Sequence, residues 1–136
     1  MIIDGDGAVL GRLASKAAKA ALEGESVNVI NAEKIVIVGD RNVIIKKYMG
    51  RIELGTMSKG PFIQRTVEGI VKRAIRGMLK RKSVRGMDAL RHVKVFRGMP
   101  PELKDNEKIS VAHFRTDKPV HRVSIGDLSS VLKYRG

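Results

Sequence analysis

The order of short apolar runs in the first fifty residues constrains the fold more than any other feature of this sequence. Two aliphatic runs, Ile2–Asp4 and Val27–Ile30, flank a segment, Val9–Leu22, whose apolar residues follow helical spacing. A third run, Ile35–Val38, is continuously apolar, as in buried parallel strands. A helix at Arg41–Arg51 follows it. The pattern β-α-β-β-α predicts an α/β domain with helices packed on a mainly parallel sheet.

The second predicted helix has a recognisable start. Asp40 precedes it, and aspartate is a favoured residue at the position that caps a helix. Spacing along this helix predicts that Val43, Ile44 and Tyr48 face inward. A long stretch follows, 50–66, in which glycines and a proline break any regular pattern. A loop of this length is usually functional or disordered.

The clearest helical pattern in the chain runs from Val67 to Leu79. Its apolar residues recur at i, i+3, i+4 and i+7, which predicts an amphipathic helix. The predicted inward face consists of Val67, Ile70, Val71, Ala74, Ile75, Met78 and Leu79. The remaining predicted elements are a basic loop at 80–86, a helical turn or two at 87–92, a strand at 93–96, an extended stretch at 109–111, a strand at 123–125 and a helix at 126–133.

Positive charge is concentrated in the middle of the chain. Lys and Arg exceed Asp and Glu by 13 overall, yet residues 1–45 carry a net charge of −1 and residues 46–97 a net charge of +12. Residues 65–85 alone carry eight cations against one acid, Glu68. Because like charges packed this closely repel one another unless a polyanion neutralises them, the segment predicts a nucleic-acid-binding face.

A solvated surface helix and a membrane-bound helix can also be rich in Lys and Arg. A solvated helix face would carry acidic residues four positions from its lysines and arginines, and such residues are almost absent here. A helix lying on a membrane would carry Trp, Phe or Leu on its apolar face, whereas Val67, Ile70 and Ile75 are typical of a domain core. Basic loops on a small α/β domain favour folded RNA over DNA, although a helix-turn-helix at 67–92 remains open.

A glycine-rich turn after the first strand offers a nucleotide-binding alternative. Gly5, Gly7 and Gly11 precede a helix, but their spacing is not that of the dinucleotide fingerprint, and Asp6 places negative charge near a bound phosphate. We therefore interpret this stretch as a tight turn with close helix packing. A nucleotide-binding enzyme built on this turn remains the alternative from another functional class.

Catalytic and metal-binding motifs are not apparent in the sequence. The chain has no cysteine, and His92, His113 and His121 lack metal-ligand spacing. No serine lies in a nucleophile-elbow motif. The acidic start lacks the apolar stretch of a signal peptide, and no aliphatic run is long enough to span a membrane. We therefore expect an intracellular protein that is not an enzyme and that has no cofactor, small-molecule substrate or membrane partner.

Several motifs, in one order, resemble a known family. They are Gly11-Arg12-Leu13-Ala14-Ser15, Asn31-Ala32-Glu33-Lys34 before Ile35–Gly39, Gly60-Pro61-Phe62, Arg76-Gly77-Met78-Leu79, Arg85-Gly86, Val93–Phe96 and Gly98-Met99-Pro100. Together they resemble large-subunit ribosomal protein L13, in its archaeal and eukaryotic form. The resemblance runs from about Asp4 to Pro101, and a weaker match follows at 123–132.

The resemblance implies a three-layer α/β/α fold with a mainly parallel four-stranded sheet, extended by basic loops and a basic helix. It implies a structural component of the large ribosomal subunit in the cytoplasm, whose partners are rRNA and neighbouring ribosomal proteins. It does not imply catalysis. We expect one domain, in which 1–54 and 67–99 form the core and basic helix, 55–66 is an RNA-contacting loop and 100–136 is a tail with a short strand and helix. A regulatory role in RNA binding outside the ribosome remains open.

Candidate RNA contacts come from two sources. The resemblance implies phosphate contacts for Arg12, Arg76, Lys82 and Arg85. The charge pattern adds Lys46, Lys47, Arg51, Lys59, Arg65, Lys72, Arg73, Lys80, Arg81 and Arg97. We expect lysine and arginine side chains to neutralise phosphates and release counterions. We further expect the loops at 55–65 and 80–86 to become ordered only when RNA binds.

Overall fold

The computed structural model describes residues 1–104, 115–116 and 121–134 of this chain. The first five strands and helices follow the order β-α-β-β-α, as the apolar runs predict. Its elements are β1 (Ile2–Asp4), α1 (Leu10–Leu22), β2 (Val27–Ile30), β3 (Val36–Val38), α2 (Arg41–Glu53), α3 (Val67–Gly77), α4 (Val84–Arg91), β4 (Val93–Val95), β5 (Arg122–Ser124) and α5 (Ile125–Tyr134).

The strands form two hydrogen-bonded groups. β1, β2 and β4 make a parallel sheet in the order β1-β2-β4, and β3 pairs with β5 in an antiparallel ladder. A single parallel bridge, between Val9 and Val36, lies between the two groups. The α/β class and a parallel sheet are therefore confirmed, whereas the expected mainly parallel sheet of four strands differs in its strand count, since three strands form the parallel sheet. Beside β3, Ala8 accepts from the Val36 N–H at 2.8 Å and Val9 forms the bridge, while the full ladder of β3 is made with the distant β5.

The main core lies on one face of the parallel sheet. Ile3, Val29 and Val93 on that face are fully buried in one cluster with residues of α1, α3 and α5. Side chains of successive strand residues point to opposite faces. Ile2 and Ile30, which point the other way, are also buried. Both faces of the sheet are therefore covered, as a layered α/β fold requires.

Four of the helices begin at residues whose side chains cap them, among them α5, where the Ser124 hydroxyl accepts from the Asp127 N–H at 3.2 Å. The Asp40 carboxylate accepts from the backbone N–H of Asn42 at 2.8 Å and of Val43 at 3.3 Å, which confirms the predicted cap. The Thr66 hydroxyl caps α3 and the Ser83 hydroxyl caps α4 in the same way. Each such cap satisfies a backbone donor that would otherwise lack an intrahelical partner, which fixes where the helix begins.

The structure corrects several local predictions. Val43 is 66% exposed rather than inward-facing, and Val38 at the end of β3 is 42% exposed. α3 ends at Gly77, so Met78 lies outside the helix and is exposed. Residues 84–86, predicted as part of a basic loop, form the first turn of α4.

Two further expectations concern the C-terminal part of the chain and membranes. Strand β5 and helix α5 confirm the short strand and helix predicted near residue 124. The predicted extended stretch at 109–111 lies outside the described residues. Within the described part of the chain, no helix is long and apolar enough to cross a bilayer.

Candidate nucleic-acid interface

Helix α3 is the centre of the basic surface. Its buried face consists of Val67, Ile70, Val71 and Ile75, which pack into the main core. This burial fixes the rotation of the helix, so the remaining residues must face outward. Lys72 and Arg73 are exposed and Arg76 is half-buried. The apolar stripe thus aligns three cations within about one helical turn on the solvent side.

A cleft of about 350 Å³ lies between α3 and α4. Four cations line it, and its apolar surface is contributed by Leu79, Met87 and Leu90. The cations are Lys72, Arg76, Arg81 and Arg91. A concave surface lined by one sign of charge focuses the electrostatic potential and raises the local concentration of a polyanion.

The loop between α3 and α4 is held by one serine. The Ser83 hydroxyl donates to the carbonyl oxygen of Lys80 at 2.8 Å and accepts from the backbone N–H of Gly86 at 3.1 Å. Gly86 is buried, and a Cβ atom there would collide with the backbone carbonyl of Lys80. The first turn of α4 therefore packs closely against the loop, which leaves Lys80, Arg81 and Lys82 exposed.

A second groove, of about 180 Å³, separates α3 from α2. Arg51 of α2 and Arg73 of α3 line it. The guanidinium carbon of Arg51 lies 5.7 Å from the centre of the Tyr48 ring, a cation–π distance. Lys47, one turn before Arg51, and Lys46 are exposed on the same helix. The basic surface therefore extends from α4 across α3 to α2.

These clefts bring together five of the fourteen predicted residues: Arg51, Lys72, Arg73, Arg76 and Arg81. The other nine lie outside these two clefts. Of the nine, all except the half-buried Arg65 are exposed: Arg12, Lys46, Lys47, Lys59, Lys80, Lys82, Arg85 and Arg97.

Two of the outlying arginines bond to backbone carbonyls. Arg12 Nη1 donates to the carbonyl oxygen of Arg115 at 2.8 Å. Arg85 Nη2 donates to the carbonyl oxygen of Leu22 at 3.3 Å. Leu22 is the last residue of α1, and a positive charge near the C-terminus of a helix is stabilising. A guanidinium has five N–H donors, so these contacts leave donors for a phosphate. Both residues thus combine an internal contact with an exposed charge.

Within the described residues, an acidic side chain pairs with one cation of this surface, Arg91. In the described residues, the ion pairs join Arg91 to Asp88 at 3.4 Å and Arg115 to Asp6 at 3.9 Å. None of the fourteen predicted residues takes part in either pair. The positive charge on α2, α3 and the following loop is therefore available to an external anion.

The sequence prediction missed two cations of this surface, Arg91 and Lys94. Arg91 lies in the cleft between α3 and α4, and Lys94 shares a third cleft, of about 340 Å³, with Lys72. The exposure of Lys94 could have been predicted from the sequence, because side chains alternate along a strand and the preceding residue, Val93, is buried. Arg91 could not have been predicted, because its position in the cleft depends on where α4 packs in the fold.

The glycine-rich turn after β1 uses its own backbone donors. The N–H groups of Gly5, Gly7 and Ala8 donate to the carbonyl oxygens of Ile30, Lys34 and Gly5, and the Asp6 N–H donates to the Asp4 carboxylate. Gly7 has a φ of +73°, as the predicted tight turn requires. Donors engaged in this way do not form a phosphate cradle. A Cβ at Gly11 would meet nothing within 4 Å, so close packing at this position is not observed.

Two of the three histidines lie in the described part of the chain. His92 and His121 are exposed, and His113 lies outside the described residues. Among the residues that the structure describes, no group of three or more His, Asp or Glu side chains comes together in a way that could hold a metal ion.

Comparisons with known proteins agree with the motif pattern. The family profile described as Ribosomal protein L13 matches residues 1–102. The chain is 44% identical to the large ribosomal subunit protein uL13 of Archaeoglobus fulgidus, over 99% of this chain and 88% of that protein. It is 39% identical to the same protein of Thermoplasma acidophilum, over 96% of each chain. It is 46% identical to that of Methanosarcina barkeri, over 82% of this chain and 80% of the relative.

Proposed function

This chain belongs to the ribosomal protein L13 family, and we propose that it is a structural constituent of the large ribosomal subunit that binds and stabilises folded rRNA. The relatives from Archaeoglobus and Thermoplasma are large-subunit proteins by name, and they match almost the whole chain. We assign it no catalytic step.

The unneutralised cationic face of α3 is the observation that carries this proposal. Lys72, Arg73 and Arg76 project from a helix whose opposite face is locked into the core. Clefts on both sides of α3 add further cations from α2 and α4. A phosphate backbone passing over α3 would meet positive charge on three elements at once, and each neutralised phosphate would release counterions.

Each region of the chain has a distinct task under this proposal. Residues 1–54 and 67–99 form a rigid base with the basic helix, the loop 55–66 contacts RNA, and the tail 100–136 supplies strand β5 and helix α5, which pack against that base. The fourteen cations predicted from the sequence, joined by Arg91 and Lys94, contact phosphates. Arginine side chains suit this role because their planar fork matches two phosphate oxygens. The protein works in the cytoplasm as part of the ribosome, with neither a small-molecule substrate nor a membrane partner.

Gradient sedimentation tests this function directly. A tagged full-length chain is expressed, the lysate is sedimented at low and at high salt, and its position is compared with that of the large subunit. We expect it to travel with the large subunit at both salt concentrations. Binding through ~6–10 phosphate contacts alone would lose ~10³–10⁵ in affinity between about 50 and 200 mM salt. Loss from the large subunit at high salt alone would mean peripheral binding through phosphates, and a chain absent from ribosomal fractions at both salt concentrations would contradict the proposal.

A matched pair of variants assigns the effect to α3. K72Q/R73Q/R76Q removes three charges from the basic face, and K16Q/K19Q/K34Q removes three exposed charges elsewhere. Both variants lower the net charge equally. We expect the first to be depleted from the large-subunit fractions and the second to remain there. Equal depletion would mean that net charge, rather than this face, directs binding.

A further inference from the structure

The loop between α2 and α3 exposes apolar side chains that electrostatic clamping does not use. Leu54, Met57 and Phe62 are 60%, 98% and 72% exposed. With Pro61 and Ile63 they line a cleft of about 470 Å³. Exposed apolar residues grouped around one cleft are typical of an interaction site, whereas single exposed apolar residues are ordinary surface.

The backbone of this loop holds the Phe62 ring outward. The Gly60 N–H donates to the Thr56 carbonyl oxygen at 3.0 Å, and the Lys59 N–H donates to the Thr56 hydroxyl at 3.3 Å. These bonds close a tight turn. Gly60 has a φ of +77°, and a Cβ there would lie 3.0 Å from Cδ2 of Phe62. The ring therefore rests against Gly60 and presents its remaining surface to solvent.

The charge around the ring favours an anionic ligand. Residues 54–66 contain Lys59 and Arg65 and no Asp or Glu. Arg65 lines the same cleft, and so does one acid, Glu53, which belongs to the last turn of α2 rather than to the loop. Among the aromatic side chains that the structure describes, Phe62 is the exposed one, since Tyr48 and Phe96 are half-buried.

We propose that Phe62 stacks against an unpaired base of the large-subunit RNA, while Lys59 and Arg65 bind the adjoining phosphates. An aromatic ring next to cations is the arrangement that recognises unstacked nucleotides, because every base offers a π-face and every link an anion. A base inside a duplex offers no free face. The inference rests on the proposed function and adds to it the class of RNA feature that this loop recognises.

Binding of full-length variants to protein-free large-subunit rRNA, transcribed in vitro, tests the stack. We expect F62A to weaken binding roughly tenfold or more, which is the usual loss of one base–aromatic contact. F62Y keeps a π-face and should bind like the wild type. F62L keeps apolar area without a π-face and should bind like F62A. Because the ring is mostly exposed, thermal unfolding should be the same for all four proteins.

Fluorescence supplies a direct signature of stacking. The chain contains no tryptophan, so F62W introduces a single reporter at the site. We expect its emission to be quenched when the rRNA transcript is added. A blunt-ended RNA duplex at the same salt should leave the emission unchanged.

The outcomes separate this inference from the proposed function. If F62A and F62L bind like F62Y while K72Q/R73Q/R76Q loses binding, the stack is wrong and the proposed function stands. If F62W emission responds only after other ribosomal proteins are added, the cleft holds a protein and the inference is overturned. If the wild type does not bind the transcript and does not sediment with large subunits, the proposed function fails first.

Discussion

At the scale of single residues, the turn after β1 depends on a position with no room for a side chain. A Cβ at Gly5 would lie 2.6 Å from Cγ1 of Ile35 and 2.9 Å from the carbonyl oxygen of Ile30. We expect G5A to lower the free energy of unfolding by about 1–3 kcal/mol, as overpacking usually does. Urea unfolding followed by circular dichroism measures the change.

Gly11, six residues further on, provides the matched control for G5A. Nothing lies within 4 Å of a Cβ placed there, and the residue is exposed in α1. We expect G11A to leave stability unchanged or to raise it by up to about 1 kcal/mol, because alanine is the better helix former. If G5A and G11A lost the same free energy of unfolding, the lack of space for a side chain at Gly5 would not be the cause of the loss.

The surroundings of individual cations predict unequal contributions to RNA binding. Arg76 shares its cleft with Lys72 and Arg81, so a phosphate there meets several positive charges. Arg12 lies beside the turn that holds Asp6 and contacts the backbone of Arg115. We expect R76Q to weaken rRNA binding by about tenfold, the value of a charged hydrogen bond, and R12Q by much less. Filter binding at one fixed salt compares them, and an equal loss would place Arg12 at the centre of the interface.

At the scale of elements, Ser83 connects the start of α4 to the basic loop before it. Its hydroxyl bonds to both Lys80 and Gly86. We expect S83A to cost about 1 kcal/mol of stability, the usual value of a lost cap. We also expect weaker rRNA binding, because the loop that carries Lys80 and Lys82 loses its anchor. S130A, which removes an exposed hydroxyl bonded within α5, is the control.

Two measurements separate the parts of the S83A prediction. Thermal unfolding reports the cap, and hydrogen exchange of the 80–83 amides reports the loop. An S83A protein with unchanged exchange in the loop and unchanged rRNA affinity would mean that α4 packing alone positions the basic residues.

Local signals predicted most elements, because each of them depends on nearby residues. The spacing in Leu10–Leu22 and the Asp40 cap needed no information from elsewhere in the chain. The rotation of α2 about its own axis, in contrast, depends on residues elsewhere in the chain. The predicted inward position of Val43 is wrong because contacts with β5 and α5, not the cap, decide which face is buried. Pairing of β3 with β5 joins residues far apart in sequence, and an apolar run cannot reveal it.

The candidate site divides in the same way. The cationic face of α3 could be predicted because one buried stripe fixes the opposite face. The position of Arg91 in the cleft could not be predicted, since it depends on where packing against α1 places α4 relative to α3. The exposure of Phe62 also depends on the turn made by Thr56 and Gly60, which the sequence marks only as a break in regular structure.

At the scale of the whole molecule, charge and core occupy different parts of one chain. Residues 1–45 carry a net charge of −1, and residues 46–97 carry +12. The first part supplies β1–β3 and α1, which hold much of the core, and the second supplies the basic surface. Self-repulsion of the second part opposes the compact state until a polyanion binds. Rigid support and concentrated charge are what a protein that stabilises folded RNA requires.

This division makes the salt dependence of binding the sharpest test at that scale. The slope of log affinity against log salt reports the number of phosphates neutralised, at about 0.7–0.9 per contact. We expect K72Q/R73Q/R76Q to make the slope shallower by roughly 2–3, because three contacts are lost. K16Q/K19Q/K34Q removes the same charge from outside the basic surface and should keep the wild-type slope. Titrations of the rRNA transcript at several salt concentrations measure all three slopes. Parallel lines for the two variants would mean that the RNA responds to total charge, and the arrangement of cations around α3 would then not determine how this protein binds.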